Sequence, residues 1–258
     1  MKSAGKVGVN VNIVITMAGV GQRFRDAGYQ VPKYRIEAHN KSLFEWSMES
    51  LAGFSDESNT YYFIVRKEDD SREFIKETCK GMGILHAEVI ELDYRTDGQA
   101  TTALLAEEKW NGADSLLIYN IDTYVESGEM NESQIEGDGF IPCFTAEGTH
   151  WSFVKLDEDG KAIEVKEKER ISDYCTLGAY YFKTAELYGR LYREYYEEKK
   201  GTELGAAEAE KKERYVAPLY NYLISQGGEV RISNVEASKV HVLGTPEELR
   251  VFMDEYQK

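Results

Sequence analysis

Two glycines and a group of basic residues stand close together near the start of the chain. Residues 11–16 form an apolar, mostly β-branched run that is typical of a buried parallel strand, and Gly19 and Gly21 follow it. Glycines in this place let the backbone approach a ligand, so that its amides can face phosphate oxygens. Three basic residues come next in a chain that is otherwise acidic: Arg23, Arg25 and Lys33. We interpret the stretch as a polyphosphate-binding loop. An ordinary glycine turn with solvated basic residues is the alternative.

A single aspartate stands where another apolar run ends. Residues 115–120 read as a buried strand, and Asp122 comes two residues after its last position. A carboxylate there, next to a phosphate loop, suits a hard cation such as Mg²⁺ that bridges nucleotide phosphates. A strand-end aspartate that only stabilises a turn is the alternative. The four histidines show no ligand spacing and no cysteine–histidine pair stands out, so the sequence offers no candidate for covalent catalysis.

The elements that must position these residues alternate between strand and helix. Up to residue 120, short apolar runs are separated by amphipathic helical segments, which predicts βαβ units, a parallel sheet and helices on both of its faces. Ligands of such sheets bind beyond the carboxyl ends of the strands. From about residue 138 short strands follow one another and predict a mixed extension of the sheet. A mostly helical stretch, two last strands and a helix with Thr245 as its cap and Pro246 at its first position complete the chain.

Composition limits the partners and the compartment. The 258 residues carry a formal net charge of −15, which disfavours binding to nucleic acid or to anionic membranes. Three cysteines without close pairing are typical of reduced thiols in a cytoplasmic protein. Residues 1–10 lack the apolar region of a signal peptide and are interpreted as a loose leader, and residues 11–258 as one domain.

The opening stretch resembles the signature of the nucleotidyltransferases that activate sugar phosphates and related phospho-alcohols, the nucleotide-sugar pyrophosphorylase-like family. That signature is a strand, then AGxGxRF or a close variant, then a Pro-Lys pair. The matching positions are Ala18, Gly19, Gly21, Arg23, Phe24, Pro32 and Lys33. Phe24 stands where the dinucleotide fingerprint needs a third glycine, and no GxxxxGK[ST] loop is present.

The resemblance continues along nearly the whole chain and implies further site residues. Gly98, Gln99 and Thr102 match the nucleobase-binding segment, although a glycine at the start of a helix explains the same residues. The resemblance makes Asp122 the magnesium ligand. Glu167, Lys168 and Gly178 match the segments that bind the acceptor, although EVKEKER alone reads as a solvated charge run.

One position departs from the family pattern. The second metal-binding aspartate of the terminal GTP element would fall at Val242. This departure weakens the expectation of a two-aspartate metal site. Glu236, a little upstream, could serve as a substitute ligand.

The resemblance implies a Rossmann-like three-layer α/β nucleotidyltransferase fold and a defined reaction. The enzyme would transfer NMP from an NTP to a sugar phosphate or phospho-alcohol with Mg²⁺, and release pyrophosphate. Arg23 would hold the β- and γ-phosphates, Lys33 the reacting phosphates, and Lys168 the acceptor. The product would be an activated precursor for surface polysaccharide or a related glycoconjugate.

The nucleobase, the acceptor and the oligomeric state stay open. Members that use UTP or dTTP read the base with a glutamine five residues before the glycine, but Asp93 stands there, so CTP and UTP or dTTP are all retained. A glycosyltransferase of similar fold is one rival, although Asn120-Ile121-Asp122 supplies only half of its DxD pair. A nucleotide-binding regulatory module without turnover is another.

Overall fold

A large mixed sheet with helices on both faces forms the body of the protein. The computed structural model describes residues 10–198 and 213–256. The leader predicted at residues 1–10 therefore lies outside the described residues, except for Asn10, as does the middle of the helical stretch predicted after residue 184.

Within the described ranges the strands are β1 (Val11–Thr16), β2 (Glu37–Ala38), β3 (Lys41–Ser42), β4 (Thr60–Arg66), β5 (Ala87–Leu92), β6 (Ser115–Asn120), β7 (Thr123–Val125), β8 (Gly139–Thr145), β9 (Ser152–Leu156), β10 (Ala162–Glu167), β11 (Tyr174–Thr176), β12 (Ala179–Phe182), β13 (Val230–Asn234) and β14 (Val240–Val242). The α-helices are α1 (Gln22–Asp26), α2 (Leu43–Glu49), α3 (Arg72–Gly81), α4 (Gln99–Leu104), α5 (Ala185–Tyr192), α6 (Ala217–Ser225) and α7 (Pro246–Glu255).

The main sheet has ten strands in the order β10-β9-β11-β8-β12-β6-β1-β4-β5, with β13 paired to β8 outside this path. Its parallel part is β6-β1-β4-β5. Strand β12 runs antiparallel to β6 and opens a six-stranded mixed extension. The prediction of a parallel central sheet that continues into mixed strands is confirmed. Two small pairs, β14 with β7 and β2 with β3, lie outside the main sheet.

Three layers follow from the alternation of side chains along β1. Ile13 and Ile15 point into one core with Phe44 of α2, whereas Val14 points into the opposite core with Tyr188 of α5. Because successive residues of a strand face opposite sides, a run that is apolar at every position needs helices on both faces. A third cluster packs α7 against Trp46 of α2.

The helix signals in the sequence are matched by the observed caps. Ser42 and Glu45 form a reciprocal capping box at the start of α2. Thr245 accepts a hydrogen bond from the amide of Glu248 at 3.1 Å, and Pro246 takes the first position of α7, as predicted. None of the helices in the described part of the chain combines the length and apolar character needed to cross a membrane. All three cysteines are buried free thiols.

Candidate active site

A cavity of about 1040 Å³ opens beyond the carboxyl ends of β1 and β6. Thr16, the last residue of β1, and Asn120, the last residue of β6, both contribute to its wall. Strand β12 runs antiparallel to β6, so the residue before it, Gly178, reaches the same end of the sheet and also lines the cavity. The topology thus brings the predicted phosphate, metal and acceptor segments to one place.

The glycine loop forms one side of this cavity. Ala18, Gly19, Gly21 and Arg23 line it. A Cβ at Gly19 would meet no atom within 4 Å, so packing against the protein does not explain that glycine. Gly21 has φ +65°, a left-handed conformation that glycine adopts without strain, and it begins α1. The turn directs the exposed guanidinium group of Arg23 to the rim of the cavity.

Lys33 and Asp122 meet across the cavity. The Lys33 ammonium group donates a hydrogen bond to Asp122 Oδ2 at 2.7 Å. The side chains are 17% and 31% exposed, respectively, so the pair remains accessible from the cavity. The contact joins residues that are far apart in sequence, and it places an ammonium group beside a carboxylate of the kind that binds metal ions.

A buried network fixes the backbone on both sides of Lys33. Tyr34 donates a hydrogen bond to Ser71 Oγ at 2.9 Å and contacts Asp69 at 3.3 Å. Burial raises the pKa of the Tyr34 hydroxyl, and the nearby Asp69 carboxylate raises it further. Asp69 also forms ion pairs with Arg66 and, at 3.9 Å, with Arg25 of α1. The sequence analysis did not identify Asp69, although its place just after β4 is the kind of signal that had pointed to Asp122.

An acidic pair lies at the floor of the cavity. A Cβ at Gly244 would lie 3.4 Å from Asp122 Oδ2 and 3.4 Å from Glu248 Oε2, so both carboxylates lie next to this glycine. Glu248 Oε2 is buried and has no hydrogen-bond partner. Carboxylate oxygens are preferred ligands of Mg²⁺, so these two residues fit a metal that also binds phosphate. Among the residues of 10–198 and 213–256, no group of three potential metal-binding side chains is assembled in advance.

The two other residues considered for the metal occupy different places. Val242 lines the cavity where the family pattern has its second aspartate, and it pairs with Thr123 in the small sheet of β7 and β14. Glu236, which could replace that aspartate, does not line the cavity, and its carboxylate accepts a hydrogen bond from Ser238 at 2.6 Å. Glu248, which the sequence analysis missed, is the acidic side chain beside Asp122.

The predicted nucleobase segment lies at a turn, residues 97–100, that begins α4. Gln99 donates hydrogen bonds to Thr16 Oγ1 at 3.2 Å and to Asn120, so its side chain joins the ends of β1 and β6. Thr102 closes the turn by donating from Oγ1 to the carbonyl of Gly98 at 2.8 Å. Gly98, Gln99 and Thr102 all line the cavity.

Gly98 is also required by a neighbouring segment. A Cβ at this position would lie 2.2 Å from the carbonyl oxygen of Arg214, and Gly98 has φ +155°. We call residues 213–216 the strap, because they cross over the turn and contribute Glu213, Tyr215 and Val216 to the cavity wall. The sequence analysis did not identify the strap.

The acceptor end of the cavity contains Glu167 and the residues around it. Glu167 lies at the end of β10, its side chain is 11% exposed, and it accepts a hydrogen bond from Ser152. Lys168 does not itself line the cavity; it lies 3.6 Å from Glu167 and donates a hydrogen bond to the hydroxyl of Tyr215 at 2.7 Å, and both of these neighbours do line it. That hydrogen bond raises the pKa of the Lys168 ammonium group.

Packing against Asn120 also explains the glycine at position 178. It has φ +77°, and a Cβ there would lie 2.4 Å from the side-chain nitrogen of Asn120. The glycine therefore lets the loop before β12 pass close to the end of β6 while it lines the cavity.

A parallel sheet that presents a glycine loop and a strand-end carboxylate to one large cavity defines an α/β protein of the nucleotide-binding class. The nucleoside-diphosphate-sugar pyrophosphorylase from Vibrio cholerae RC9 has a similar structure: its TM-score is 0.85 and its sequence identity 36%, over 94% of this chain and 100% of that one. The chain belongs to this family of nucleotidyltransferases.

More distant structures share the fold. The inositol-1-phosphate CTP transferase from T. maritima has a TM-score of 0.74 at 14% identity, over 97% of this chain and 99% of that one. The CTP:phosphocholine cytidylyltransferase from Streptococcus pneumoniae has a TM-score of 0.68 at 16% identity, over 95% and 99%. No family model matches the chain, and no curated protein matches it.

Proposed function

We propose that the protein transfers the NMP group of an NTP to a sugar phosphate and releases pyrophosphate. The observation that carries the proposal is the ion pair of Lys33 and Asp122 beside the glycine loop, in a cavity that also reaches Glu167. The pair supplies charges of both signs where triphosphate and metal would meet. The similarity to a nucleoside-diphosphate-sugar pyrophosphorylase over the whole length of that protein supports the same reaction.

Different residues of the cavity bind the NTP and the acceptor. The amides of the glycine loop face the triphosphate, and Arg23 at the rim binds its outer phosphates through a planar guanidinium group. Lys33 exchanges Asp122 for the phosphate oxygens at which reaction occurs, and holds them in position. An oxygen of the acceptor phosphate attacks the α-phosphorus in line. The new P–O bond forms as the bond from the α-phosphorus to the bridging oxygen breaks, and pyrophosphate leaves with that electron pair.

Asp122 and Glu248 would hold Mg²⁺, whose charge would stabilise negative charge on the phosphate oxygens. The two carboxylates supply only part of an octahedral set, so the metal would arrive largely as its complex with the NTP. The free protein should therefore bind Mg²⁺ weakly. Lys33 maintains the charge balance at Asp122 until the substrate enters.

The similarity to a nucleoside-diphosphate-sugar pyrophosphorylase favours a sugar phosphate over choline phosphate as the acceptor. A trimethylammonium group would need an open aromatic face. The ammonium group of Lys168 already lies 4.7 Å from the centre of the Tyr215 ring, so it would repel a second cation from this ring. Trp151 is another aromatic side chain of the cavity wall, so the acceptors to be tested include phosphorylated alcohols.

A panel assay tests the proposal. The protein is incubated with CTP, UTP or dTTP, Mg²⁺ and a set of phosphorylated sugars and alcohols, and pyrophosphate release is measured against Lys33→Ala as the inactive control. We expect release that depends on both an NTP and a sugar phosphate. Release of NDP from a nucleotide sugar would instead identify a glycosyltransferase, and no turnover with any pair would favour a regulatory module. The nucleotide sugar formed would serve as an activated precursor for polysaccharide or glycoconjugate assembly in the cytoplasm.

A further inference from the structure

The strap connects the two ends of the cavity. One side of it lies on the turn at residues 97–100, which the family resemblance assigns to the nucleobase. The other side carries Tyr215, which contacts Lys168 beside the acceptor end. Within the described chain, these contacts bring together three segments that are far apart in sequence.

Backbone hydrogen bonds hold the strap to the turn. The amide of Arg214 donates to the carbonyl of Asp97 at 2.8 Å, and the amide of Ala100 donates to the carbonyl of Arg214 at 3.0 Å. The missing side chain of Gly98 makes this approach possible, because a Cβ there would overlap Arg214. The strap and the turn therefore each donate one main-chain hydrogen bond to the other, and these two bonds fix the position of the strap along the turn.

Side chains fix the strap on its outer face. The Arg214 guanidinium group pairs with Asp97 at 3.0 Å and donates a hydrogen bond to the Tyr192 hydroxyl at 2.6 Å. Tyr196 donates to the carbonyl of Tyr215 at 2.6 Å. Tyr192 and Tyr196 therefore anchor the strap with their hydroxyl groups.

Tyr215 is the residue of the strap that reaches the acceptor side. Its hydroxyl accepts the hydrogen bond from Lys168 at 2.7 Å and donates to Glu213, so both of its polar functions are used. Lys168 itself has φ +59°, a left-handed backbone conformation that is uncommon for a side chain of this kind and directs it towards the strap. Over half of the Lys168 side chain is exposed, so without this partner its ammonium group would sample many positions.

We propose that Tyr215 is a positioning residue: it holds the Lys168 ammonium group beside Glu167 of the cavity wall, and the strap fixes Tyr215 relative to the nucleobase turn. The inference rests on the proposed function together with the role that the family resemblance implies for Lys168, which is to hold the acceptor. It adds that the acceptor lysine is oriented by a residue anchored on the nucleotide side, so that the distance between the two subsites is set by the strap.

The test is a double-mutant cycle on the full-length protein with the NTP and sugar phosphate that the wild type turns over. Tyr215→Phe keeps the ring against Lys168 and removes the hydroxyl. We expect it to raise KM for the sugar phosphate by about tenfold, the scale of a lost hydrogen bond to a charged group. The dissociation constant for the NTP, measured by calorimetry, should stay within about twofold, because the contacts of the strap with the turn are retained.

Lys168→Met supplies the second side of the cycle. In that background Tyr215→Phe should have no further effect on KM, because the group that it positions is gone. Tyr94→Phe is the matched control: Tyr94 is exposed, lies outside the cavity wall, and should leave both constants unchanged.

Three outcomes would overturn the inference. If the wild-type protein turns over its substrates and Tyr215→Phe has the same KM for the sugar phosphate, Tyr215 does not position Lys168, whereas the proposed function stands. Equal effects of Tyr215→Phe with and without Lys168 would mean that the hydroxyl acts on something other than this lysine. Absence of wild-type turnover with every pair of substrates would overturn the proposed function and this inference with it.

Discussion

Lys33 and Asp122 lie 89 residues apart in the sequence, and a hydrogen bond joins their side chains. This contact is the central feature of the candidate site. Either residue alone has an ordinary structural explanation. Together, in a cavity lined by a glycine loop, they place the Lys33 ammonium group next to the Asp122 carboxylate, a potential metal ligand, where phosphate groups would bind. The sequence predicted both residues, but it could not predict that they are partners in the free protein.

Lys33→Ala should lower turnover by roughly a hundredfold or more, the scale for losing one electrostatic stabiliser of a transition state. The free energy of unfolding should change little, because a partly exposed pair contributes little to stability. Rates are measured with the sugar phosphate identified in the panel. Lys76→Ala, on the exposed face of α3, is the matched control. A Lys33→Ala enzyme as fast as this control would remove Lys33 from the mechanism.

Arg23→Lys separates charge from shape at the rim of the cavity. A lysine keeps the positive charge but loses the planar group that can bind two phosphate oxygens at once. We expect a larger loss of affinity for the NTP than for the corresponding NMP, measured by calorimetry. Arg250→Lys, on the exposed face of α7 and outside the cavity wall, is the control and should leave both affinities unchanged. Equal losses for NTP and NMP in Arg23→Lys would reduce Arg23 to a surface charge.

Glu248→Gln tests the metal with a readout other than turnover. The change preserves the shape of the side chain and removes the charge beside Asp122. We expect the affinity of the protein–NTP complex for Mn²⁺, followed by electron paramagnetic resonance, to fall by about tenfold or more. Glu247→Gln is the control, since Glu247 is one residue away and exposed.

Asp122→Asn should have at least as large an effect on metal affinity as Glu248→Gln. If Glu248→Gln binds Mn²⁺ as tightly as Glu247→Gln, Glu248 is not a ligand. Tight binding of Mg²⁺ to nucleotide-free protein that survives in Asp122→Asn would point to a different set of ligands.

At the scale of elements, strands and helices with a regular hydrophobic pattern could be predicted from the sequence. The apolar run of β1 and its neighbours indicated a parallel sheet buried on both faces, and Thr245 with Pro246 indicated the start of α7. What could not be predicted is contact between segments distant in sequence. Gly98 and Gly178 were assigned to ligand binding, yet each also faces a protein neighbour, Arg214 or Asn120, that no local pattern indicates.

Gly98→Ala should therefore disturb an element rather than a single contact. A Cβ there would lie 2.2 Å from the Arg214 carbonyl oxygen, so the strap must move or the turn must deform. We expect a loss of about 1–3 kcal/mol in the free energy of unfolding, together with weaker NTP binding. Chemical denaturation and calorimetry measure the two effects.

Gly28→Ala is the matched control for this change. Gly28 has φ +93°, but a Cβ there would meet no atom within 4 Å, so the substitution introduces backbone strain without overlap. If Gly98→Ala and Gly28→Ala lose equal stability and both keep normal NTP affinity, contact with the strap is not the reason for the glycine at 98.

At the scale of the whole molecule, the sheet topology determines where chemistry can occur. Strands β1 and β6 end at the cavity, and the antiparallel β12 brings the acceptor segment back to the same edge. A chain with net charge −15 repels polyphosphates, so Arg23, Lys33 and Arg95 in the cavity wall provide the local attraction. The α/β fold class could be predicted from periodicity, and most of the candidate site residues from the family resemblance. The strap and the pairing of Glu248 with Asp122 required the tertiary structure.

The most direct test of the central claim follows the two ends of the NTP separately. The wild-type protein is incubated with Mg²⁺, a sugar phosphate and NTP that carries a radiolabel on either its α- or its γ-phosphate, and the products are separated. Our account predicts that the α-label appears in a nucleotide sugar and the γ-label in pyrophosphate, in equal amounts and only when the sugar phosphate is present. Appearance of the α-label in free NMP, or of the γ-label in inorganic phosphate without a nucleotide sugar, would contradict it.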